Sequence, residues 1–178
     1  MVERDPGRMM KLKIGKSASV KSSDRVYTLR VYLLAGPVTK EFEGKEISRI
    51  IQIKGNQTLK DLHRAIFRAY DRWEEHFYEF NLGKGPYDRS CIYSLPSRVA
   101  VFEGNEKIGD VTKTTINSLG LRVDRAFGYW FDFGDDWVHQ INVIRIGRPS
   151  GKKRYPRIIK RVGKSPPQYP DIDEDEQG

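Results

Sequence analysis

Two apolar runs, Phe127 to Phe133 and Trp137 to Ile146, are separated only by Gly134-Asp135-Asp136. A connection this short between alternating apolar segments leaves room for little except an antiparallel hairpin. The junction is also chemically dense, because Asp132, Asp135, Asp136 and His139 lie within eight residues among Phe131, Phe133 and Trp137. Two registers are open. A two-residue turn at Gly134-Asp135 places Trp130, Asp132, Trp137 and His139 on one face. A three-residue loop places Phe131, Phe133, Trp137 and His139 together and turns Asp132 away. A one-residue slip exchanges the faces, so the turn decides the chemistry.

The remaining elements follow from periodicity. Tyr27, Leu29, Val31 and Leu33 alternate with polar residues and predict a strand ended by Gly36-Pro37. Ile47 to Lys54 predicts a second, with Arg49, Ile51 and Ile53 on one side and Ile50 and Gln52 on the other. Thr58 to Asp71 predicts the main helix, since Leu59, Leu62, Ile66, Ala69 and Tyr70 recur at three- and four-residue steps. Thr58 and Asp61 have the spacing of a capping box. A strand is expected from about Phe77 to Leu82, a long loop over Gly83 to Ser97, a short edge strand over Val99 to Phe102, and a helical turn from Thr114 or Thr115 to Leu119 stopped by Gly120. The expected fold is α+β: a mostly antiparallel sheet with one main amphipathic helix packed on it, in the order β-β-α-β-β-β-β, with flexible charged tails. The domain is expected at 26–148, after a basic segment 1–25 and before a basic then acidic tail 149–178. Within that tail, Tyr155 to Ile159 could dock as a short extended piece.

Charge is unevenly placed. The net charge is +8, yet residues 26–144 balance. Arg145, Arg148, Lys152, Lys153, Arg154, Arg157, Lys160, Arg161 and Lys164 form an acid-free basic run, followed by Asp171, Asp173, Glu174, Asp175 and Glu176. A polyanion surface is therefore expected at the flanks, with the first eight of those cations as nucleic-acid contacts. No stretch reaches the ~18 apolar residues of a membrane span, so a cytoplasmic protein without membrane contact is expected. Cys91, the one cysteine, supports neither a disulfide framework nor a thiolate metal site. Kinase, phosphate-loop and nucleophile-elbow motifs are absent.

The motif residues admit two readings. In one, the aspartates cap backbone N–H groups of a tight turn and His139 is a hydrogen-bonded core histidine. In the other, Asp132, Asp135, Asp136 and His139 bind a hard metal or act as acid and base, with His76 and Glu79 as a second pair and His76, Asp132 and His139 as the metal ligands.

Tyr27-Thr28-Leu29-Arg30-Val31, Thr58 to Ile66, His76-Phe77-Tyr78-Glu79-Phe80 and Tyr129 to His139 together resemble, in order and approximate spacing, the plasmid pRiA4b ORF-3-like family over residues 26–146. That resemblance implies a compact α+β domain found in plasmid and mobile-element contexts, without established biochemistry. The positions carried over are His76, Glu79, Phe80, Asp132, Gly134, Asp135, Asp136, Trp137 and His139. Many members end in Pro-Pro-Glu-Asp and a glycine pair, whereas Pro166-Pro167 is followed here by Gln168-Tyr169-Pro170. The leading expectation is a non-catalytic binding or accessory module that contacts nucleic acid through its basic flanks and has no cofactor. The alternatives are a divalent-metal-dependent phosphoester hydrolase and a protein-interaction adaptor using Trp130 and the aromatics near Tyr78. Oligomeric state is left open.

Overall fold

The computed structural model describes residues 25–99 and 108–171. They form an eight-stranded sheet in the order β5-β4-β3-β6-β7-β1-β2-β8. The strands are β1 (Val26–Ala35), β2 (Ser48–Lys54), β3 (Tyr78–Asn81), β4 (Ile92–Ser94), β5 (Gly109–Asp110), β6 (Ala126–Phe131), β7 (Trp137–Gly147) and β8 (Arg157–Val162). All neighbours are antiparallel except β4 and β5. The main helix, α1 (Leu59–Ala69), packs on one sheet face, and α2 (Pro96–Val99) is a single turn. No helix among the described residues is long and apolar enough to cross a membrane.

The expected α+β architecture is present, and its signals act as physics requires. Thr58 Oγ1 accepts the Asp61 N–H at 3.2 Å while the Asp61 carboxylate accepts the Thr58 N–H at 2.9 Å, a reciprocal cap of two otherwise orphaned donors. Leu59, Leu62, Ala65, Ile66 and Ala69 are buried against Tyr27, Leu29, Val31, Ile51 and Ile53. Gly120, at φ 61°, ends the 3-10 turn Ile116–Leu119 in the left-handed conformation that glycine adopts without steric cost.

Two expectations are corrected and a third falls mostly outside the described residues. The segment Gly83 to Ser97 is not a continuous loop, because β4 pairs with β3 and buries Ile92, after which α2 begins. The edge strand expected over Val99 to Phe102 falls mostly outside the described residues, and Val99 closes α2. The boundary at 148 is too early. Residues 157–162 form β8, which pairs with β2 from Ser48↔Val162 to Gln52↔Arg157 and satisfies backbone groups that β2 would otherwise leave unpaired. The N-terminal segment 1–24 and the acidic residues 172–178 lie outside the described residues.

Buried Arg49 anchors this addition. Its Nε donates to the Ala69 carbonyl at 2.7 Å, Nη1 to Val162 O at 2.7 Å and Gly163 O at 3.1 Å, and Nη2 to Ser165 Oγ at 2.8 Å. One cation thus meets orphan carbonyls at the negative end of α1 and the chain leaving β8. Replacing it with leucine leaves the Ala69 carbonyl to Arg161 and takes the charged donor from Val162, Gly163 and Ser165, and hydrogen bonds to a charged donor are worth about 1.5–3 kcal/mol each. Arg49→Leu should lower unfolding free energy by roughly 3 kcal/mol or more in urea titration, with amide-exchange protection lost first in β8.

Candidate functional site

The hairpin adopts neither anticipated turn. Phe131 pairs with Trp137, so residues 132–136 form a five-residue loop. Asp132 and Asp136 both take positive φ, 56° and 54°, a conformation aspartate tolerates better than most residues. The Asp132 N–H leaves the β7 ladder and donates to Phe77 O at 2.9 Å, while its Oδ1 accepts the Gly134 N–H at 3.1 Å. The Asp136 carboxylate accepts the Trp130 indole N–H at 3.0 Å. The aspartates therefore build the turn. Phe133 leaves the shared face and packs edge-on against Trp130, with ring centroids 4.7 Å apart.

His139 does not join them. It is 1% exposed on the core face, its ring 4.8 Å from Tyr70 and 5.3 Å from Tyr129. It is the core histidine anticipated, although neither ring nitrogen makes a well-formed hydrogen bond among the described residues. Burial, with the nearby Arg72 cation, pushes its pKa down to about 3. His76 Nε2 instead meets Tyr169 Oη at 2.7 Å and Asp132 Oδ2 at 3.5 Å. Glu79 is buried on the opposite sheet face, held by Arg89 Nε at 2.8 Å and Nη2 at 3.1 Å, so His76 and Glu79 are not a pair. Among the described residues no three His, Cys, Asp or Glu side chains gather closely enough to hold a metal ion.

The histidine that sequence reasoning passed over is His63. Its position, four residues after Leu59 and three before Ile66, marks the buried stripe, but its partners are remote in sequence. At 2% exposure it stacks on Tyr78 with 3.6 Å between parallel rings. Its Nδ1 meets Tyr129 Oη at 2.8 Å and its Nε2 meets Glu75 Oε2 at 2.9 Å. Burial lowers its pKa, opposed by Glu75, whose own pKa is lowered chiefly by the His63 hydrogen bond. In the neutral tautomer that fits both partners, Tyr129 donates to Nδ1 and Nε2–H donates to Glu75. The chain ends at a fully buried phenol, whose pKa burial raises well above its usual value. Its other end, the largely exposed Glu75 carboxylate, faces an open cleft of about 380 Å³ lined also by His63, Lys60, Arg64, His76 and Phe77. Tyr78, expected in an exposed aromatic patch, is buried as part of the same stack.

The face opposite α1 is polar and basic. Residues directly opposed on neighbouring strands share a face, and register aligns Arg145, Thr28, Gln52 and Arg157 in one row and Asn142, Arg30, Ile50 and Lys160 in the next. Gln140, Tyr32 and Ser48 follow. Arg145 and Lys160 are exposed, as are Arg148, Lys152, Lys153 and Arg154 of the β7–β8 connection. Arg157 donates to Gln52 Oε1 at 2.9 and 2.6 Å within the face. Arg161 is the exception. It opposes Arg49, on the helix side, and donates to Asp71 and to carbonyls at the end of α1.

A family model described as plasmid pRiA4b ORF-3-like protein matches residues 27–172, a span that includes β8. No curated protein matches the chain. Among solved structures, a protein of unknown function, MM3350 from Methanosarcina mazei Go1, is similar at 22% identity and a TM-score of 0.61, covering 80% of this chain and 71% of its own. At that identity the likeness concerns the fold.

The buried imidazole of His139 yields a pH test. Its unfolded pKa is about 6.5 and its folded value about 3, so between these limits the unfolded chain binds a proton that the folded chain refuses. Stability is complete above about pH 6.5 and falls as pH drops below it, by up to about 1.4 kcal/mol per pH unit for one such group. His139→Leu should flatten the decline of unfolding free energy between pH 6.5 and 5, above the carboxylate range, while His63 retains its own share. An unchanged slope would refute this assignment.

Proposed function

The chain belongs to the plasmid pRiA4b ORF-3-like family, and we propose that it is a binding module whose open sheet face holds the sugar-phosphate backbone of a nucleic acid, with a single strand as the preferred form. The observation that carries this reading is the register of Arg145 and Arg157 in one row with Arg30 and Lys160 in the next. Four cations from three strands, interleaved with the hydrogen-bonding side chains of Gln52, Gln140 and Asn142, form a field suited to a flexible polyanion. Of the acids nearby, Glu46 pairs with Arg30 and accepts from Ser48, and Glu79 is held by Arg89, so the uncompensated charge of the field lies on Arg145, Arg157 and Lys160.

This refines the expectation of basic flanks. The cations act from within the sheet as well as from the 148–154 connection, and Arg161 is withdrawn from the contact set. The turn aspartates and His139, which the hydrolase reading would use, serve the loop and the core.

The test is salt dependence. Binding of a labelled single-stranded oligonucleotide should weaken with ionic strength with a log–log slope of about −0.7 for each phosphate neutralised. A variant with Arg145, Lys160 and Arg154 all changed to glutamine should make the slope shallower by about 2, while its thermal midpoint stays close to that of the unmodified protein. Absence of binding at low salt, or an unaltered slope, would refute the proposal. Deleting residues 145–178 is a poor substitute, because it removes an edge strand with the charges.

A further inference from the structure

The same open face ends in a feature that the backbone reading does not use. Between β3, β6, β7 and the loop preceding β4 lies a mainly apolar slot of about 270 Å³, walled by Trp130, Tyr87, Pro86 and Val138. We infer that this slot receives one unstacked nucleobase of the bound strand, laid against the Trp130 ring. The inference rests on the nucleic-acid reading above and extends it to a base-binding subsite.

The slot is built rather than incidental. Gly128 makes it, because a Cβ there would sit 2.1 Å from Pro86 O, and its absence lets the loop lie directly on the sheet. Asp88 stiffens that loop by accepting the Lys84 N–H at 2.6 Å and the Ser90 N–H at 2.9 Å. Arg89 ties it to buried Glu79 and places its guanidinium 5.3 Å from the centre of the Trp130 ring. On the other side, the Asp136 carboxylate holds the Trp130 indole N–H and Phe133 packs edge-on against the ring. The stacking surface is therefore set before any ligand arrives, which limits the ordering cost of binding. Tyr87, which also lines the slot, is 65% exposed, a second ring that the fold leaves uncovered.

The polar groups suit a heterocycle better than an aliphatic side chain. The Asp136 carboxylate stands at the rim as an acceptor for a ring or exocyclic N–H. At the base, Asn81 is 3% exposed, its Nδ2 donates to Pro86 O at 3.4 Å, and its Oδ1 has no partner. Buried acceptors are rarely left unmet, and Asn81 lines the slot. Placement completes the case. Asn81, Gly128, Gln140 and Tyr32 form one cross-strand row, and the Arg30 row lies one pleat repeat, about 7 Å, beyond it. A strand held by the cations thus passes the mouth of the slot.

The test uses the full chain, a single-stranded decanucleotide, and a strand of equal length made of stable abasic spacers, compared by fluorescence anisotropy. The unmodified protein should bind the base-bearing strand at least about tenfold more tightly than the abasic one, the scale of a single base–aromatic stack. Trp130→Ala should remove most of that preference and leave abasic affinity unchanged, Trp130→Phe should keep most of it, and Tyr87→Ala, at an exposed position, should lower it with no folding burden. Equal binding of both strands by the unmodified protein, or a preference untouched by Trp130→Ala and Tyr87→Ala, would overturn the slot while leaving the backbone reading standing. Failure to bind either strand at low salt would overturn the backbone reading and the slot with it.

Discussion

A buried guanidinium holds together the parts of this fold that its sequence separates most widely. Arg49 sits in β2 on the core side of the sheet, yet its donors reach the last turn of α1 and the residues that follow β8. Burial lowers its pKa by desolvation, and the carbonyls around it replace the lost hydration. Without that cation the helix C-terminus would be left to Arg161 alone, and the Val162 and Gly163 carbonyls at the end of β8 would lose their charged donor. The position of Arg157 and Lys160 on the open face thus depends on a charge buried on the other.

The sheet separates its two surfaces by chemistry. Toward α1 lie Tyr78, Tyr129, Phe131, Trp137 and His139 with His63, a dense aromatic layer whose titratable members are held neutral by burial or by each other. The segment after β8 closes one end of this layer. Gln168 accepts the Trp73 and Glu74 N–H groups at 3.0 and 3.1 Å, and Arg72 lies 3.6 Å over the Trp137 ring. The opposite surface leaves Gln52, Gln140 and Asn142 half exposed and carries cations from three strands. Imidazole and carboxylate chemistry that looks catalytic in sequence is largely consumed in shaping the first surface, and the second retains unspent charge.

Much of the architecture was legible because local rules and burial agree. The stripe in α1, the Thr58–Asp61 cap, the alternation of β1 and β2, and the stop at Gly120 each follow from periodicity or backbone sterics. The hairpin was legible as a hairpin, but its register was not, since two aspartates in the left-handed region lengthen the loop beyond the short turns that glycine suggests. Strand β8 was hidden by composition: Arg157, Lys160 and Arg161 read as a solvated run, although Ile158, Ile159 and Val162 could occupy an edge. The cation surface was foreseen as a property of the flanks, and only the pairing of Arg30 with Asn142 and Ile50, and of Ile50 with Lys160, brings Arg30 into it. His63 and Glu75, twelve residues apart, meet because the chain reverses after α1, which no short-range pattern reports.

The molecule divides into a chemically spent interior and a receptive open face, and side-chain resonances in a titration with a single-stranded oligonucleotide test that division directly. The division predicts that the Trp130 indole N–H and the side-chain amides of Gln52, Gln140 and Asn142 shift together, while the Trp137 indole N–H and the backbone amides around His63 stay in place. Shifts concentrated at His63, Glu75 and His76, with the open-face groups unmoved, would contradict it.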